Sequence, residues 1–96
     1  MINITLNSGV QNARQRFSQR IDGRLFRFEV DRVSYCADPY WLMNVYINGE
    51  PRKMGCPLLS GVVHDFGADG RLVFVGDEAT LDNLGKANKL VWIPAE

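Results

Sequence analysis

The apolar positions of this chain recur with a period of two, not 3.6, and turn residues return every eight to twelve positions, which is the pattern of a small antiparallel sandwich or barrel. Residues 2–6 alternate Ile2, Ile4 and Leu6 with Asn3 and Thr5, predicting a short half-buried strand that Asn7-Ser8-Gly9 ends. Two strand-like runs, 14–20 and 24–30, flank Ile21-Asp22-Gly23, and an Asp-Gly step between such runs predicts a hairpin. In its second arm Phe26, Phe28 and Val30 share the inward parity, while Ile21, Leu25, Arg27 and Glu29 fall on the outward one.

Residues 40–47 are the most β-prone run, with Trp41, Met43, Val45 and Ile47 on one face and Tyr40, Leu42, Asn44 and Tyr46 on the other, so both faces are expected to be covered. Asn48-Gly49 then predicts a tight turn that returns the chain through residues 52–54. The segment from Cys56 to Val63 is apolar but broken by Pro57 and Gly61, which predicts a bent or edge strand with a bulge near Gly55 or Gly61. A turn at 67–70 leads to a strand at 71–75. Residues 77–88 form a polar connector with one helical turn, capped at Thr80 and closed by Gly85, and a last strand at 89–93 stops at Pro94. The fold class is all-β: a small antiparallel barrel of five to seven strands over residues 13–96, preceded by a strand or arm at 1–12.

With 96 residues the chain has room for one domain, and its 46% apolar and 23% charged residues are the proportions of a globular protein. No apolar run is long enough to span a membrane, and MINITLNSGV lacks a basic region followed by an apolar block, so neither membrane insertion nor export by a signal peptide is expected. Cys36 and Cys56 are too few for a disulfide framework or a zinc site and are expected to be free thiols, with pairing across adjacent strands left open. The net charge is zero but unevenly spread. Residues 1–32 carry six arginines against Asp22, Glu29 and Asp31, and the remainder carries five basic residues against eight acidic ones. A molecule with such a dipole can orient itself against copies of itself or against a neighbour.

His64 stands beside Asp65, a pair that elsewhere serves acid-base chemistry, but adjacent residues of a strand point to opposite sides and a lone histidine makes a poor metal site. No Gly-rich phosphate loop is present, and Asp65, Asp69, Asp77, Glu78 and Asp82 do not match the spacing of a calcium loop. No catalytic, cofactor-binding or metal-binding residue is therefore expected, and the protein is read as not an enzyme. The arginines interleaved with Phe17, Phe26 and Phe28 suggest, as an alternative, a barrel that binds single-stranded nucleic acid. The inward parity of Phe26 and Phe28 and the zero net charge favour protein docking instead, with Arg14, Arg16, Arg20, Arg24 and Arg27 as the expected contact residues.

From residue 17 onward three segments, FSQRIDGRLFRFEV, YWLMNVYINGEP and GCPLLSGVV, followed by RLVFVGD, Asp82-Asn83-Leu84-Gly85 and a last strand ending in Trp92, form an order of motifs similar to that of the phage baseplate plug family. The most distinctive stretch is Gly55, Pro57, Leu58 and Gly61. Asn83 between Asp82 and Leu84, and His64-Asp65-Phe66 in place of a longer apolar link, depart from the family pattern. The resemblance implies a five-stranded barrel resembling an oligonucleotide-binding fold, with no catalytic residues and no cofactor. It implies a virion component at the baseplate hub of a contractile-tailed phage, assembled in the host cytoplasm. Several copies would surround the tail axis, in contact with hub, tail-tube or tape-measure proteins. The strand at 2–6 lies outside the resemblance and offers an edge for pairing with a neighbouring subunit.

Overall fold

A computed structural model describes residues 2–21, 23–33 and 39–95, with the side chain of Val10 left out. Cys36, expected to be a free thiol with pairing left open, falls outside the described residues. The described chain is all-β and antiparallel: β1 (Ile2–Ile4), β2 (Arg14–Ile21), β3 (Arg24–Val33), β4 (Tyr40–Ile47), β5 (Glu50–Pro57), β6 (Val63–Asp65), β7 (Gly70–Gly76) and β8 (Asn88–Pro94). One sheet has the order β1-β8-β7-β6 and the other β2-β3-β4-β5. The eight strands exceed the five to seven that the pattern suggests because β1 and β6 are only three residues long and because Pro57 and Gly61 divide the apolar run that contains them into two strands.

The sheets face each other across a core that follows the strand parity. Phe26, Phe28 and Val30 of β3 and Trp41, Met43, Val45 and Ile47 of β4 meet Leu72, Phe74, Leu90 and Trp92 of the other sheet. Trp92 is the pivot: its indole lies edge-on to Phe26 at 4.9 Å and to Phe66 at 5.5 Å, an arrangement that aromatic quadrupoles favour. Gly70 leaves room for that indole, since a Cβ there would come within 2.7 Å of Trp92 and 2.5 Å of the Ile93 carbonyl.

Ile21 is buried, not outward as the simple alternation predicts. The hairpin turn contains two residues, so Ile21 pairs with Arg24 and shares the inward face with Phe26 and Phe28; the inward parity is odd in β2 and even in β3. At the next hairpin Asn48 and Gly49 both have positive φ, 51° and 83°, which is the geometry a two-residue turn between twisted strands requires. Two bulges then interrupt β5. Lys53 and Cys56 oppose Val45 and Met43, leaving Met54 and Gly55 opposite Asn44, whose Oδ1 accepts the Gly55 amide at 2.7 Å; Arg52 is the second extra residue.

β1 pairs with β8 of its own chain, Ile2 opposite Trp92 and Ile4 opposite Leu90, and Ile4 and Leu6 enter the core. Pairing of this strand with a neighbouring subunit would require its release. Side chains bridge the seams between the two sheets. Along one, the Gln15 amide exchanges two hydrogen bonds with the Asn7 backbone and Gln19 Nε2 donates to the Asn3 carbonyl at 3.4 Å. Along the other, His64 Nε2 lies 3.2 Å from the Pro57 carbonyl.

The connector 77–87 closes one end of this barrel-like body. Thr80 and Asn83 exchange side-chain to backbone hydrogen bonds of 2.7 and 3.2 Å, the reciprocal arrangement of a capping box, although only turns follow and no helix. The Thr80 carbonyl accepts the Trp41 indole N–H at 3.2 Å, and the Gly9 amide donates to the Leu81 carbonyl at 2.7 Å.

Candidate docking interface

The outward face of the β2–β3 hairpin is set by its register: Arg14 opposes Asp31, Arg16 opposes Glu29, Ser18 opposes Arg27 and Arg20 opposes Leu25. Arg16 is spent on its own sheet. Its guanidinium reaches both Asp31 oxygens at 2.8 and 3.4 Å and lies 3.6 Å from Glu29, and the hydrogen bond to Asp31 stabilises its charged form. Arg27 is 3.5 Å from Glu29 and rests over the Tyr46 ring at 5.8 Å. Arg14, with its side chain 81% exposed, touches Asp31 only at 3.9 Å, and exposed Arg20 makes no ion pair among the described residues.

Arg24 parts from this group. Its parity is that of Phe26, and its guanidinium contacts Asp69 at 2.6 Å, where Arg52 also binds at 2.7 Å. The bulge at Arg52 aims that side chain back across the sheet end, over Phe66 at 6.0 Å. The two arginines hold the Asp69 carboxyl below the ordinary carboxylate range, Arg52 first and Arg24 second. The structure thus gathers Arg14, Arg16, Arg20 and Arg27 on one face and turns Arg24 into a clasp between the hairpin and the 67–69 turn; Asp22 falls outside the described residues.

Two apolar surfaces escape a parity analysis of single strands. Across the outer face of the β1-β8-β7-β6 sheet runs a row of Asn3, Val91, Val73 and Val63, flanked by Ile93 and Val75; Val63 is 51% exposed. The signal in the sequence is that both parities of 71–75 and of 89–93 are largely apolar, more than one buried face needs. The second surface is an open groove of about 560 Å³ lined by Pro39, Tyr40, Leu42, Pro57, Leu59 and Glu78. It forms where the start of β4 meets the end of β5 beside the connector, so its lining comes from three distant stretches of chain.

The chemically reactive side chains serve the framework. The Cys56 thiol is buried and pushed up by desolvation, away from the thiolate that a nucleophile needs. Burial likewise lowers His64 from its ordinary value of 6.5, and Nε2–H donates to the Pro57 carbonyl in the neutral ring. No three metal-ligating side chains come together among the described residues.

A sequence profile of the family described as Cyanophage baseplate Pam3 plug gp18 matches residues 1–95. The chain belongs to this family. As a baseplate plug family member it has a structural role in the phage tail baseplate, where it meets other tail proteins. The match starts at the first residue, so the β1 segment is part of the family's sequence pattern and not an addition outside it, as the motifs alone implied. No curated protein matches the chain.

Proposed function

We propose that the protein is a passive component of the plug or hub region of a contractile phage tail, present in several copies around the tail axis. It docks to hub, tail-tube or tape-measure proteins in the virion, after assembly in the host cytoplasm. Family membership supports the baseplate role; the observation that supports docking is the basic face of Arg14, Arg20 and Arg27, whose carboxylate contacts are at best loose, 3.9 Å for Arg14 and 3.5 Å for Arg27. These side chains project from a hairpin whose reverse side is packed core, so little backbone ordering remains to be lost on binding. Arg16 and Arg24, held tightly by carboxylates at 2.8 and 2.6 Å, contribute position and not recognition.

A single-strand nucleic-acid role would need exposed aromatic platforms beside the arginines. Phe26 and Phe28 are fully buried and Phe17 stacks on Phe28 at 5.2 Å, so the hairpin aromatics serve the core. Replacing Arg14, Arg20 and Arg27 together by Glu is expected to give a folded protein and particles with defective baseplates in electron micrographs. Normal tails from that variant would overturn the docking role of this face.

A further inference from the structure

The tip of the basic hairpin and the apolar groove lie at opposite ends of the β2-β3-β4-β5 sheet, although Arg14, at the foot of the hairpin, lies across from Asp31 and so near the groove residue Leu42. Arg20 and Leu25 are cross-strand partners at the hairpin tip, with Arg27 two residues further along β3, and Leu25 is a large apolar side chain left 41% exposed. At the far end of β3, Arg32 Nη1 donates to the Ala79 carbonyl of the connector at 3.5 Å. From Leu25 to Arg32 the strand covers about 23 Å, at roughly 3.3 Å per residue, along a body 37 Å in its longest extent. The groove beside that connector holds Glu78, which is exposed and makes no ion pair among the described residues.

We propose that the hairpin tip of one copy docks into the groove of the next, with Leu25 packing against Tyr40, Pro57 and Leu59 and with Arg20 and Arg27 meeting Glu78. This rests on the docking role of the basic face and names its acidic partner: a second copy of this chain. One chain carries both halves of the contact, an exposed leucine between arginines and an apolar groove with a glutamate, and its charges balance at zero. The halves are too far apart to satisfy each other within one chain. Because the two surfaces differ, the contact is head to tail, and it closes into a ring when the rotation between copies divides a full turn. Asp77 and Asp82, exposed on the same connector, outweigh its exposed Lys86 and extend the field that orients the approaching arginines.

Sedimentation of the purified chain over a concentration series, at low and high salt, tests this. Wild type is expected to self-associate, less so at high salt. A tip variant, R20Q/R27Q, and a groove variant, E78Q/L59Q, neither of which creates charges that complement the other's, are each expected to be monomers. Mixed in equal amounts they are expected to give dimers and no larger species, since each retains one competent half. Thermal melts like that of wild type exclude misfolding, and L25E provides a second tip variant that leaves the Arg27–Glu29 pair in place. A wild type that stays monomeric at all concentrations, or variants that fail to couple when mixed, overturns the copy-to-copy contact. If tails still fail with the triple arginine variant, docking to another tail protein survives that result. Normal tails would remove the docking role itself.

Discussion

Trp41 illustrates how much one side chain can hold. Its ring fills the core from β4 while its N–H reaches the Thr80 carbonyl, so the same residue packs the sheets and fastens the connector. Trp41→Ala is expected to cost about 3–5 kcal/mol, measured by chemical denaturation; an unchanged midpoint would refute its burial. His64 works in the opposite sense, by excluding charge. The folded protein favours the neutral ring, so unfolding takes up a proton below the ordinary imidazole value of 6.5. Stability contributed in this way is full above that value and declines as pH falls through it towards the lowered folded value. His64→Gln is expected to flatten the decline, as read from melting temperatures between pH 7 and pH 5.

At the level of elements, the strands and turns with local signals were legible in the sequence. Asn48-Gly49 announces its own turn, the bulge falls at Gly55, and the inward parity of 26, 28 and 30 follows from alternation. What a linear reading misses are the relations between elements. Ile21 changes face because the number of turn residues inverts parity, and Arg24 departs from the other arginines for the same reason. Arg16 loses its free charge to Asp31, a partner visible only once the register is known. Gly85 shows such a relation at closest range: it has φ of 80°, and a Cβ there would strike the carbonyl of Leu6, where the N-terminal segment crosses the connector. Gly49→Ala, at φ 83° with open space around it, should cost only the left-handed strain of about 1–2 kcal/mol. Gly85→Ala is expected to cost clearly more, because the backbone of Leu6 has to move; equal melting temperatures for the two variants would refute the crossing.

Across the whole molecule, the zero net charge conceals an ordered arrangement. Basic residues run the length of the hairpin, where some are cancelled by Glu29, Asp31 and Asp69, and exposed acids outnumber Lys86 on the connector at the end away from the hairpin tip. The core between these ends is continuous, but the boundary with the N-terminal strand is not built like the rest: β1 has a three-pair ladder on one side and glutamine side chains on the other. Opening that boundary breaks a ladder of only three pairs and takes Ile4 and Leu6 out of the core, a smaller loss than releasing β3 or β4, so it is the unit expected to open first while β3 and β4 stay formed. Amide hydrogens of residues 2–7 are expected to exchange with deuterium well before those of β3 and β4, and Gln15→Ala to speed them further. Uniform exchange would mean that the chain opens only as a whole. A strand held this way is one a crowded assembly can borrow: it is joined by a short ladder, is already shaped for an antiparallel edge, and has its own core to return to when no neighbour takes it.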